Sequence, residues 1–220
     1  METFLESKIK IINEITNDEP EVRNSYLKRY SAKVEEFGIK MAKAILAWRD
    51  LDIGSETEEQ RAWVSALVYG AITLHIQSMR LFLSGHTIAA GNLSRQVVEG
   101  ISLALLCSSK QLHVFQRFIE DEYSPNNSVR ELLRHYEKLG LRENGVNVLK
   151  VAQTFYHKYS HPTKMTIAQT VSFSENGLYV GASFDEGKLS EYDKEVSTRL
   201  SLAGVFENFV EAVKFNVAKW

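Results

Sequence analysis

A single cysteine, three prolines and three tryptophans are all that the 220-residue chain holds of the residue types that staple, break or stack a fold. Cys107 alone excludes an intramolecular disulfide and any multi-cysteine metal site, and its apolar setting marks it as an inert buried thiol. With proline only at Pro20, Pro125 and Pro162, long stretches are free to be helical, since an interior proline deletes a backbone hydrogen bond and clashes with the preceding turn. Trp48, Trp63 and Trp220 are too scattered for a stacking platform. Neither sign of charge is in excess: 26 Lys and Arg face 28 Asp and Glu, so the whole molecule has no pull towards nucleic acid or an anionic membrane. The most apolar long run, Trp63 to Leu83, is interrupted by His75, Gln77 and Arg80, and no membrane span is expected. The opening METFLESKIKIINEI is amphipathic and mixed in charge, unlike a secretory leader, so a cytoplasmic location is expected. Phosphate-cradling glycine loops, nucleophile elbows, kinase motifs and dinucleotide fingerprints are missing, and no cofactor is expected.

What is present is helical periodicity. Phe4, Leu5, Ile9, Ile12 and Ile15 predict a short first helix, closed by Asn17-Asp18-Glu19-Pro20. Tyr26, Tyr30, Val34, Phe37, Met41, Ala44 and Trp48 predict a long helix over about 21–49, and Ser55 or Thr57 is placed to cap the next, which Gly85 ends. A central helix follows from Thr87 to Ser109, then helices over 110–123, 129–138 and 142–160, the last stopped by Pro162. Between Thr166 and Phe184 the character changes: TVSF and LYVGAS flank Ser174-Glu175-Asn176-Gly177, the pattern of a β-hairpin near 168–184. A last helix over 190–218 lines one face with Leu200, Ala203, Phe206, Val210, Val213 and Val217. The expectation is one all-α domain over 1–220. N-terminal helices (1–55) pack on a core bundle (56–165), followed by a small hairpin (166–186) and a C-terminal helix (187–220).

Three groups of residues could carry chemistry. Arg95 and Glu99 are the only charges between Thr87 and Ser109, and four positions apart they share a helix face. A buried pair there could offer the Arg fork to a phosphate or carboxylate, or could simply fix helix register. His157 and His161, in Tyr156-His157-Lys158-Tyr159-Ser160-His161-Pro162, share a helical face, and imidazole is the side chain most often used for general acid/base work. Without an HExxH pattern or a nearby acidic cluster, they are not expected to hold a metal. Arg130 and His135 form R-x-x-x-x-H within a locally basic stretch, where seven Lys and Arg between 126 and 164 face three acids.

Two segments carry a likeness to known proteins. Ala89-Ala90-Gly91-Asn92-Leu93-Ser94-Arg95-Gln96-Val97-Val98-Glu99 resembles the small-residue, Arg/Glu helix of a set of uncharacterised prokaryotic all-helical proteins. The segment from Tyr156 to Pro162 is similar to their aromatic–Ser–His–Pro helix end. The resemblance covers about 60–165 and implies a HEPN-like bundle of the kind found in toxin and phage-defence systems, active as a homodimer on RNA or a nucleotide. It implies metal-independent ribonuclease chemistry with His161, Arg95, Glu99 and His157 as catalytic candidates, Arg130 and His135 as the alternative pair, and Lys158, Tyr159 and Ser160 as ligand contacts. The chain departs from that family's pattern because its best R-x-x-x-x-H does not fall at the Ser-His-Pro position. The competing expectation is a non-enzymatic interaction or scaffold module in which the same residues are structural.

Overall fold

A computed structural model describes residues 3–16, 18–53, 58–174, 177–179 and 181–220, and among them nine α-helices and no β-strand. They are α1 (Phe4–Thr16), α2 (Pro20–Asp52), α3 (Glu59–Leu83), α4 (Thr87–Cys107), α5 (Val114–Ile119), α6 (Ser128–His135), α7 (Glu143–His157), α8 (Lys164–Gln169) and α9 (Leu189–Val217). The most extensive contact is between α3 and α4; α9 runs against α2 and also reaches α3, α4 and α7, while α6 and α7 cover another side of α4. Central α4 is therefore buried nearly all round, and from Ile101 to Cys107 every residue is buried. Cys107 is one of them, and burial pushes its thiol up to about 12, as an inert core residue requires.

Helix ends follow local chemistry. Pro20 opens α2 where its missing N–H costs nothing. After α3 the backbone turns left-handed at Gly85 (φ +84°), with Gly85 N–H donating to Phe82 and His86 N–H to Leu81, a Schellman closure. Gly140 (φ +70°) repeats it beyond α6, with Leu141 N–H donating to Tyr136. α3 is the one helix among the described residues long and apolar enough to cross a membrane by length and composition; 44% of its most apolar window is buried.

Several expectations are corrected. The helix expected over 110–123 splits into a 3-10 turn (Lys110–Leu112) and α5, because His113 between them is left-handed (φ 52°) and Asp121 (φ 58°) closes the end. The expected hairpin forms no strands among the described residues: a single antiparallel bridge joins Val171 to Leu178. α8, which Thr163 and Thr166 start with a reciprocal capping box, ends at Gln169, just before the expected first run over 170–173. Asn176 of the expected turn, the caps Ser55 and Thr57, and Asn17 of the breaker lie outside the described residues. Helical spacing predicts a buried face of Val148, Ala152, Phe155 and Tyr159 over 142–160; Ala152 and Tyr159 are buried, Val148 and Phe155 only half-buried, and Val146, Leu149 and Tyr156 complete the buried face. α1 forms where expected but buries no residue.

Candidate functional site

Arg95 and Glu99 do pair, with Arg95 Nε donating to Glu99 Oε1 at 2.8 Å. Their side chains are 19% and 13% exposed, so the pair is mostly desolvated without being sealed. Arg95 Nη2 donates to Asn126 Oδ1 (2.8 Å), and the Ser128 hydroxyl donates to the Glu99 carbonyl (3.1 Å). Together these bonds pin the 125–127 turn and the start of α6 to α4. Arg95 Nε and Nη2 are thus both occupied by partners within the fold.

The segments around Gly91 and around Tyr159 meet, but not through Arg95 and His161. They meet where the Tyr159 ring lies directly over Gly91, at a distance that leaves no room for a Cβ. The small residue in Ala90-Gly91-Asn92 is therefore a seat for an aromatic ring. Beyond Tyr159 the chain runs towards the start of α4, where Thr87 donates to the Gln169 side chain (3.1 Å), whereas Arg95 lies one turn past Gly91 in the other direction. His157 and His161 are exposed and touch each other edge-on, ring centroids 5.0 Å apart. Lys158 is exposed, Ser160 half-buried and Tyr159 buried, so this trio does not present one common surface. Arg130 is exposed and donates to Asn127 Oδ1 (2.9 Å), while the half-buried His135 closes α6. Five residues apart, the two point roughly 140° from one another round the helix.

An enclosed polar cluster centres on two residues outside the candidates that the sequence offers. On α9, Glu195 and Arg199 form an i,i+4 ion pair that is fully enclosed, the side chains being 2% and 0% exposed. Tyr159 donates its phenol proton to the other oxygen of Glu195, so the Tyr159–Glu195–Arg199 chain ties α7 to α9 beneath α4. Arg199 Nε and Nη2 and the Tyr156 hydroxyl find no hydrogen-bond partner among the described residues; the guanidinium lies instead over the Phe82 and Tyr156 rings, 4.9 and 5.4 Å from their centroids. Burial pushes the Glu195 carboxyl up, and the adjacent guanidinium pulls against it. Next to it, His75 Nε2 lies 3.1 Å from the Arg199 carbonyl oxygen, which only accepts, so Nε2 carries the proton. Phe37 and Phe206 enclose the imidazole, and burial pushes its pKa down to about 3. The sequence signal was the Glu-x-x-x-Arg spacing itself, hidden because Glu191, Asp193 and Lys194 make that stretch look like solvated surface.

A second enclosed knot stabilises the loop before α9. Asp185 accepts from the backbone N–H of Phe173 (2.6 Å), Ser174 (3.1 Å) and Gly187 (2.9 Å). Burial pushes its carboxyl up, but these donors and Lys188 outweigh burial and hold it below the ordinary value. Lys188, itself buried, donates to the Gln169 carbonyl and lies over the Phe173 and Tyr179 rings.

No group of three His, Cys, Asp or Glu gathers among the described residues in a way that could hold a metal ion. Five cavities of about 360 to 600 Å³ open between helices, and none of these five is lined by Arg95, Glu99, His157 or His161. The most apolar, about 400 Å³, is a groove between α2 and α3 lined by Leu27, Val34, Phe37, Met41, Ile45 and Met79, among others, with Arg23 and Arg80 also in its wall. No family model, curated protein or solved structure matches this chain.

Proposed function

We propose that the chain is a non-enzymatic helical interaction module. The observation that carries this reading is the open apolar groove between α2 and α3, in a molecule whose densest acid–base cluster, around Glu195 and Arg199, is closed to solvent. An open apolar groove in an otherwise ordinary surface is what a docking site looks like. Arg95 and Glu99 serve in this reading as a clamp on the 125–127 turn, and His157 and His161 as a helix end. The test is an RNA-cleavage assay on the purified chain in EDTA, beside His161→Ala and His135→Ala. No cleavage by any of the three is expected. Cleavage that disappears in either variant contradicts the module and establishes a metal-independent nuclease.

A second reading has its own observation in favour. Arg130, Arg134, Lys138, Arg142, Lys150, Lys158 and Lys164 are all exposed along α6, α7 and α8, with Glu131 drawn off to Arg117 (2.9 Å). That basic face suits a phosphate-bearing ligand such as RNA, and in this reading the bundle is HEPN-like, acts as a homodimer in the cytoplasm, and uses the Val171–Leu178 bridge as the root of its hairpin. Binding through that face weakens steeply with salt, because each neutralised phosphate releases counterions. An affinity for RNA that is absent, or unchanged between low and high salt, removes the second reading.

A further inference from the structure

Among the described residues two apolar surfaces are left uncovered, and their dimensions match. On α1, Phe4, Leu5, Ile9, Ile11, Ile12 and Ile15 are between 46% and 85% exposed. At 100° per residue they form one broad stripe. The α2/α3 groove runs along α2 from Arg23 to Ile45, longer than the roughly 20 Å of a 13-residue helix.

We infer that this chain forms a dimer by exchanging α1 helices, each α1 lying in the α2/α3 groove of the second copy. This deepens the interaction-module reading and rests on it. The occupant follows from where α1 is anchored. Glu14 accepts from the Ala182 backbone N–H (3.1 Å), and Gly181 passes so close to its carboxylate that no side chain would fit there. That loop continues to Ser183, whose carbonyl accepts from Tyr26 and whose backbone packs beside Gly85 and Val22. Val22 and Tyr26 lie on one side of the groove round α2, Tyr26 next to Phe37 and about 100° from Leu27 and Ile45. Anchored on that side, α1 buries no residue within its own copy, and its stripe is free for another copy's groove.

Charge agrees with an antiparallel seat. Arg23 and Arg80 both stand in the groove wall, Arg23 Nη2 donating to the Ser84 hydroxyl at the groove's end (2.6 Å). The C-terminal end of α1 brings its helix dipole and the exposed Asp18 and Glu19. Lys8, the one charge inside the stripe, then falls near the exposed Glu35 on the rim while its stem covers apolar surface. Six large apolar side chains per helix, each hiding on the order of 100 Å², exceed over two copies the ~1,200 Å² that a specific interface needs once the groove side is counted. Reciprocal seating is the self-complementary contact of a two-fold dimer.

Sedimentation of the full chain tests this with two surface variants. Ile9→Glu/Ile12→Glu spoils the stripe on a helix that buries nothing, and Gly38→Glu plants a carboxylate in the groove where a Cβ meets nothing within 4 Å. The helical signal of both should match the parent, and both should unfold cooperatively, with a melting temperature lower only by what loss of the dimer removes. The parent should sediment at twice the chain mass at tens of micromolar, each variant at the chain mass, and an equimolar mixture of the two should regain a dimer through its one intact α1–groove pair. A monomeric parent, or a dimer that survives Ile9→Glu/Ile12→Glu, overturns the exchange. In the latter case, a dimer still lost in Gly38→Glu leaves the groove as the docking surface with a different occupant, so the module reading outlives the exchange.

Discussion

At the scale of single residues, the decisive side chains are the ones water does not reach. His75 is held neutral between Phe37, Phe206 and the Arg199 carbonyl, with its pKa pushed down to about 3. Its folded value lies below the ordinary 6.5, so between the two the unfolded chain binds a proton that the native state refuses. The stability His75 contributes is therefore present above about pH 6.5 and is lost as pH falls towards 3. Urea unfolding at about pH 7 and about pH 4.5 should differ by about 2 to 3 kcal/mol from this group, and His75→Gln should remove most of that difference. An unchanged pH dependence in the variant would show that another group sets it. The Glu195–Arg199 pair gives a second prediction. Glu195→Ala leaves a buried guanidinium without its counter-ion and should cost about 3 to 5 kcal/mol, whereas Glu195→Leu/Arg199→Met should recover much of the loss. Denaturant midpoints read both, and a double variant no more stable than the single one contradicts a simple ion pair. Arg95→Ala, at a partly solvated pair, should cost clearly less than Glu195→Ala.

At the scale of elements, α4 and α7 are keyed together by a missing side chain. Alanine is the better helix former by about 1 kcal/mol, yet Gly91→Ala should destabilise, because the new methyl runs into the Tyr159 ring. Combining it with Tyr159→Ala should make the glycine substitution harmless or favourable; thermal melts of the four proteins in that cycle decide it. A neutral Gly91→Ala in the parent would mean the ring moves aside freely. The same contact shows what was legible beforehand. Helical spacing located α2, α3, α4, α7 and α9 because apolar stripes decide burial, and Gly85 marked its terminus because only glycine turns left-handed without strain. Local chemistry competing with pattern defeated the rest: the Thr163–Thr166 capping box starts a short helix immediately before the expected hairpin, and left-handed His113 cuts a helix the periodicity draws as continuous. At the site, Arg95 and Glu99 stood out against an apolar background. Glu195 and Arg199, with the same spacing and deeper burial, did not, since a sequence cannot say which face of a mixed-charge helix meets α7.

At the scale of the molecule, a few charged groups are enclosed in a largely apolar core while two apolar surfaces stay exposed. Glu195, Arg199, Asp185 and Lys188 are spent on holding α9 and its preceding loop, while the α1 stripe and the α2/α3 groove remain uncovered within one copy. That groove is the proposed working surface. Of the chain's four methionines, Met41 and Met79 line it and Met165 lies on α8, well separated in sequence and element. The measurement that bears most directly is methyl NMR of methionine-labelled protein as unlabelled chain is added. The Met41 and Met79 methyl signals should shift and broaden with concentration while that of Met165 stays still. Signals from Met41 and Met79 that do not move, or a shift confined to Met165, would contradict it.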